Sequence, residues 1–331
     1  MTLITFIKSR DLILLLMAGL WLSPHAHALT CQLESFSSPN IGDITLATIN
    51  SASTHQLLTY SCTNNSDTTQ WASVCIGADG GVTHPLQISP RRLTGPAHST
   101  LNFNMTLTDR GHAIWGSRNS SGTEFIDFIS VNPNTTVTRT TNIKTALLPD
   151  NNLALAGHYT AHFTGINSTL TFVTSDSDND HQQCTSESQG VAPIAFTVQA
   201  AVLDSCQIQE TSDLMLGSYS ASQTNITDFN NKALSILCTN GSSYHIGLIP
   251  SNGNMHGAGV MKGVVDNRSE VAYQLHSTAG FGGAPWGDSA DNWVTRRGNG
   301  STQTETVYIT VPNIDVKADK YTDVVTVKIY Y

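Results

Sequence analysis

The chain has 331 residues, a formal charge of −9, and only 12% Asp, Glu, Lys and Arg. Its 16 basic residues are scattered without a cluster, which leaves no field for a phosphate backbone and excludes nucleic acid as a partner. The length exceeds that of an ordinary single domain, and Ser, Thr, Asn and Gly stand where charged residues would usually keep a surface wet.

The N-terminus reads MTLITFIKSRDLILLLMAGLWLSPHAHA. Lys8 and Arg10, an apolar run from Leu12 to Leu22 and the small-residue end Ala26–His27–Ala28 predict a secretory signal over 1–28. No later stretch approaches the roughly 18 to 20 apolar residues that cross a bilayer, so the mature chain is expected to be exported and soluble, or anchored through another protein. Cysteines at 31, 62, 75, 184, 206 and 238 suit an oxidising compartment. The nearly equal intervals 31 to 62 and 206 to 238 point by repetition to two pairs, leaving Cys75 with Cys184.

Beyond the signal, short alternating stretches are separated by Gly, Asn, Ser and Pro, with no long amphipathic helical segment, so an all-β chain is expected. The two halves repeat one plan. QLLTYSCTN around Cys62 corresponds to ALSILCTN around Cys238, and MTLTDRGHAIWG ending at Gly116 to YQLHSTAGFGGAPWG ending at Gly287. LALAGHYTAHF and VKADKYTDVVTV correspond in outline. The polar, turn-rich TSDSDNDHQQCTSESQG puts a boundary near residue 190. Domain one is then 29–190, a linker with a strand-like segment is 191–203, and domain two is 204–331.

Domain one carries material that domain two lacks. Trp71 and Ile76 flank Cys75 in an apparent insertion, which a bridge to Cys184 would hold rigid. RNSSGTEFIDFISVNP places Phe125, Ile126, Phe128 and Ile129 either on an exposed apolar loop or in a buried strand. Leu153 and Leu155 form a further apolar candidate. His158 and His162 lie four apart, but on a strand this places them on one face about 13 Å apart, too far to share a metal. Asp176, Asp178, Asp180 and Glu187 have partly calcium-like spacing, yet His181 stands where glycine is expected and no helices flank them. With no HExxH, CxxC or GxSxG, no catalytic residue, metal or cofactor is assigned, and a nonenzymatic role is expected.

In FTVQAAV, residues 196–202, one face carries Phe196, Val198, Ala200 and Val202 and the other Thr197, Gln199 and Ala201. Such a strand could pair through its backbone while filling a groove, or it could open domain two; periodicity does not decide. The terminal YTDVVTVKIYY alternates Val325, Val327 and Ile329 against Thr326, Lys328 and Tyr330 before Tyr331.

The order of CTNG after Cys206, AYQLHS…PWG over 272–287 and VPNIDVKADKYTDVVTVKIYY resembles the spore-coat-U-like pilin family of archaic chaperone–usher fimbriae. The paired layout is most similar to the two-domain tip adhesin of Csu-type pili. The resemblance implies two immunoglobulin-like sandwiches, the C-terminal one incomplete and completed by a strand donated from an adjacent pilin. It implies a periplasmic pilus chaperone and an outer-membrane usher as partners, a place at the pilus tip on the cell surface, and hydrophobic distal loops contacting an abiotic or host surface in attachment and biofilm formation. Under it, Phe196–Val202 would complete domain one from within the chain, and Val325, Val327, Ile329, Tyr330 and Tyr331 would face the groove or chaperone. Phe125, Ile126, Phe128, Ile129, Trp71 and Ile76 would be candidate adhesive contacts. Because Cys31 follows the expected cleavage site so closely, the mature chain is expected to accept a strand without donating one. A structural pilin or coat-like subunit without receptor binding is the alternative.

Overall fold

The structure is a computed structural model that describes residues 28–116, 124–165, 167–175, 177–178, 190–265 and 268–331. It is all-β apart from two short 3₁₀ turns, and it divides into two sandwiches with separate cores.

The strands of domain one are β1 (Leu29–Phe36), β2 (Asn40–Ile44), β3 (Ser53–Asn64), β4 (Gln70–Ala78), β5 (Arg91–Thr94) and β6 (Thr100–Leu107). They continue as β7 (Ala113–Ile114), β8 (Phe125–Val131), β9 (Thr135–Leu147), β10 (Gly157–Phe163), β11 (Ser168–Ser175), β12 (Gly190–Pro193) and β13 (Phe196–Val202). A nine-stranded sheet runs β1-β3-β9-β6-β5-β10-β13-β2, with β7 on β6, and packs against the four-stranded sheet β12-β11-β4-β8. Domain two contains β14 (Cys206–Thr211), β15 (Thr224–Cys238), β16 (Ser243–Pro250), β17 (Ala258–Gly263), β18 (Glu270–His276), β19 (Val294–Arg297), β20 (Thr302–Asn313), β21 (Tyr321–Thr322) and β22 (Val325–Tyr330). Its sheets are β14-β15-β20-β18-β17-β21 and β19-β16-β22.

One tryptophan anchors each sandwich. Trp115 and Trp286 are fully buried, and their indole N–H groups donate to the carbonyls of Ile76 and Ile246, both at 2.9 Å. Their backbone N–H groups bond Met105 and Leu275, again at 2.9 Å each. These bonds leave the indole no unsatisfied donor in an apolar core, which explains why the Trp–Gly marker recurs in both halves. They also align β4 with β16, β8 with β19 and β11 with β22. Trp71 and Ile76 therefore do not sit in an insertion: β4 is a central strand with a counterpart in domain two.

Cys31–Cys62 and Cys206–Cys238 are disulfides joining directly paired residues of β1 and β3 and of β14 and β15. Cys75 is disulfide-bonded as well; Cys184 lies outside the described residues, as does the signal segment up to residue 27. The stretch expected to be a linker is largely strand, for β12 pairs with β11 and β13 with β10.

Candidate binding surfaces at the two ends of the chain

β13 occupies a slot in domain one. All seven of its residues pair antiparallel with β10, from Gly157↔Val202 to Phe163↔Phe196. Its other edge pairs in parallel with β2, which has no second neighbour in the sheet. The sequence alternation becomes a burial alternation: Phe196, Val198, Ala200 and Val202 point into the core. The Phe196 ring stacks on Phe163 at 4.3 Å and on Trp115 at 6.1 Å, and meets the edge of Phe36 at 5.0 Å. Burying Phe196, Val198 and Val202 stabilises domain one by about 2 kcal/mol each.

Domain two repeats this frame without that strand. Its larger sheet stops at β21, the two-residue counterpart of β10. Residues 212–223, which follow β14 as β2 follows β1, form no strand. The side chains that would flank an added strand are only half covered: Leu214, Leu216, Ile314, Val316, Tyr321, Val325, Val327 and Ile329 pack on the core without entering it, and Met215 is 78% exposed. The result is an apolar cleft between β21 and 212–223, neither of which has a ladder partner on that side among the described residues.

The floor of the cleft is held from behind. β22 pairs with β16 from His245↔Tyr330 to Pro250↔Val325, turning Val325, Val327 and Ile329 inward and Thr326, Lys328 and Tyr330 outward. On the outer face the buried Asp288 carboxylate accepts from the Tyr330 hydroxyl at 3.0 Å, Lys328 at 3.3 Å and the Trp293 indole at 3.2 Å. Its hydrogen bond to Asp288 raises the Lys328 ammonium above its ordinary value. Gly247 makes room for Asp288, whose carboxylate oxygen would lie 1.9 Å from a Cβ there. Tyr273 donates to Asp323 at 2.6 Å and so holds the crossing from β21 to β22. Of the terminal aromatics, Tyr330 is thus engaged on the outer face, away from the cleft, and Tyr331 is exposed.

The other surface lies at the far end of domain one. β13 leads into domain two at Val202, so its Phe196 end is distal, and beside that end lies the loop 79–90, DGGVTHPLQISP. Val82 in this loop donates its backbone N–H to His162, next to Phe163. Leu86 is 91% and Val82 55% exposed, yet the loop is braced from within. The fully buried Arg91 donates to the carbonyls of Asp79 (2.8 Å), Ile88 (3.0 Å), Ala78 (2.7 Å) and Trp115. The Asp79 carboxylate receives Gly81 N–H at 2.7 Å and Asn167 at 3.0 Å. Gly81 has φ +83°, which a side chain would disfavour.

Sequence reasoning passed over this loop, because Val82, Leu86 and Ile88 among glycines and prolines show no run that marks an element. The residues it named instead lie mostly elsewhere. Phe125 and Ile129 belong to β8 and are buried with Ile76 in the core, so the exposed-loop alternative is replaced by the buried strand. The inward row of β8 also carries Asp127, which accepts from Tyr60 at 2.7 Å. Trp71 and Ile126 are half-buried, and only Phe128 is well exposed. Leu153 and Leu155 sit against domain two, at the opposite end from loop 79–90. His158 and His162 are exposed on one face of β10. Among the described residues no group of three His, Cys, Asp or Glu could hold a metal ion. Of the acidic stretch 176–187, only residues 177 and 178 are described.

Residues 192–328 match the family model of the Spore Coat Protein U domain. No curated protein matches the sequence significantly. Among solved structures, the chain aligns with the CsuC–CsuE chaperone–tip adhesion subunit pre-assembly complex from the archaic Csu pili of Acinetobacter baumannii. That alignment has 16% identity and a TM-score of 0.49, covering 91% of this chain and 100% of that one. The CupB6 tip adhesin from Pseudomonas aeruginosa aligns at 10% identity and a TM-score of 0.41, covering 91% and 94%. CfaE, the adhesive subunit of CFA/I fimbria of enterotoxigenic Escherichia coli, aligns at 11% and 0.34, covering 90% and 93%.

Proposed function

We propose that this chain is a nonenzymatic tip adhesin of a chaperone–usher pilus, exported through the periplasm to the pilus tip, where it mediates surface attachment and biofilm formation. The observation that carries the reading is the strand-sized vacancy in domain two at the place β13 fills in domain one. β13 acts as an internal donor for domain one, and an adjacent pilin supplies the equivalent strand to domain two. Until then a periplasmic chaperone covers the cleft and delivers the subunit to the outer-membrane usher, since an open edge with a half-covered apolar floor invites aggregation. The family match over 192–328 supports the assignment for domain two. Domain one meets an abiotic or host surface through the loop 79–90, where Val82 and Leu86 are held out on a braced backbone.

Immunogold labelling of assembled pili with an antibody to domain one tests the position: label at the distal ends is expected, and label along the shaft would establish a structural pilin instead. Val82→Ser with Leu86→Ser tests the contact. Attachment to a hydrophobic surface should fall several-fold with the unfolding midpoint unchanged, because both side chains are exposed and their truncation costs within about 0.5 kcal/mol. Unchanged attachment by assembled pili would remove this loop from the reading.

A further inference from the structure

The two domains are joined by more than a linker. After Val202 only three residues remain before Cys206, and each is tied down. Leu203 N–H continues the β13–β2 ladder by bonding Ile44 at 2.8 Å. Asp204 accepts from the Ser242 hydroxyl, and the Ser205 hydroxyl accepts from Leu46 N–H of domain one at 3.1 Å. Facing them is the turn that follows Cys238. Thr239, buried, accepts Ser205 N–H at 3.1 Å, and its hydroxyl reaches the Leu203 carbonyl at 3.1 Å. Asn240 spans to domain one, where its amide donates to the Leu153 carbonyl at 2.6 Å and its backbone forms a parallel bridge with Leu155. Gly241 packs so closely that a Cβ would lie 2.8 Å from the Leu155 side chain.

The receiving segment is rigid in turn. Leu155 N–H bonds the Ser99 hydroxyl at 3.1 Å, and the buried Tyr159 donates to the Leu155 carbonyl at 2.7 Å. Nearby Asn151, also buried, donates to Leu148 and Asn102 at 2.9 and 3.1 Å. The corresponding turn of domain one shows that this is not simply inherited with the fold. Its asparagine, Asn64, is fully buried and donates to Thr68 and Val131 within its own domain. The same Cys-Thr-Asn sequence closes a sandwich in one half and bridges two sandwiches in the other.

We infer that the Thr239–Asn240–Gly241 turn is a latch that holds the two domains as one body and makes tension between them load β13 along its own axis. Among the described residues the chain passes from domain one into domain two through β13, so a pull on domain two is a pull on that strand. With domain two latched in line, all of its pairs with β10 and β2 carry the load together. If domain two could swing aside, they would open one at a time from Val202. The lifetime of the joint under force is set by the barrier to that opening. The inference rests on where β13 lies and on the joint, and it stands or falls independently of adhesion.

Residual dipolar couplings on the full mature chain read the latch directly, without any variant. Both domains are expected to share one alignment tensor, and two independent tensors in the wild-type chain would overturn the inference. For the load, handles are placed at the exposed Gln32 on β1 and Gln209 on β14, so that the pull passes from one domain to the other through β13. Asn240→Ala, which loses the side-chain bond to Leu153 across the joint, with Thr239→Val, should shorten the lifetime of β13 at constant force about ten-fold, equivalent to ~1.4 kcal/mol. Asn240→Ala alone should show a smaller shortening of the same sign should the double variant misfold. An unchanged lifetime in a variant with both domains folded would overturn it.

Discussion

Domain one and domain two are built on the same frame of paired strands around a buried tryptophan, and the difference that matters most is the strand β13. In domain one, β13 separates β10 from β2 and closes the core over Phe163, Trp115 and Phe36. In domain two the ladder ends at β21, and Val325, Val327 and Ile329 stay half covered. The difference also appears in the backbone: β2 is a strand because β13 gives it a partner, whereas 212–223 has none and remains irregular. A single strand therefore both fills an apolar groove and orders the segment on its far side.

The largest effect is expected from making domain one resemble domain two. Replacing residues 196–202 by glycine and serine of equal length removes the burial of Phe196, Val198 and Val202, about 6 kcal/mol at ~2 kcal/mol each. That is comparable with the whole stability of an ordinary domain. Domain one should lose its cooperative urea transition and bind a hydrophobic dye, and a free FTVQAAV peptide should restore the transition. A cooperative transition that persists in the replaced chain would show that domain one is complete without β13.

The reverse operation, filling the cleft of domain two, should have the next largest effect. An added strand-forming peptide should raise the unfolding midpoint of domain two and slow amide exchange over 212–217, because that segment gains a partner as β2 has in domain one. Val327→Asp places a charge on the apolar floor without a partner, a costly burial. It should abolish both the peptide effect and co-purification with a chaperone, while domain one unfolds as before. Stabilisation by the peptide without slower exchange at 212–217 would break the parallel between that segment and β2.

Much of this comparison could be read before any coordinates. The all-β class, the twofold repeat and the alternation of 196–202 follow from periodicity, because a half-buried strand must alternate. The Trp–Gly marker was visible as a repeat, but its cause, one indole hydrogen bond to the central strand of each sandwich, was not. What stayed illegible depends on tertiary context. Phe125 and Ile129 look alike in a buried strand and in a sticky loop until pairing with β4 decides. Leu86 gives no signal because its exposure depends on Arg91, five residues on, turning inward to four carbonyls. Asn64 and Asn240 follow the same two residues, and only the neighbouring domain distinguishes them.

The smallest expected effect concerns the loop 79–90, whose counterpart in domain two, residues 251–257, is shorter. Burial raises the Asp79 carboxyl above its ordinary value, against the opposing pull of Asn167, Gly81 and Arg91. The folded state then holds this proton more tightly than the unfolded chain. Stability is gained as pH falls through the folded value, and the gain is complete below the unfolded one. Asp79→Asn keeps an oxygen for Gly81 N–H but cannot titrate, so the difference between wild type and this variant isolates the group. The urea midpoint of wild-type domain one should rise relative to Asp79→Asn between pH 7 and pH 4, modestly because the carboxyl is partly screened by solvent. A difference that shrinks on acidification would mean that the hydrogen bonds at the loop base outweigh burial, and that an ionised Asp79 is what holds the loop 79–90 in place.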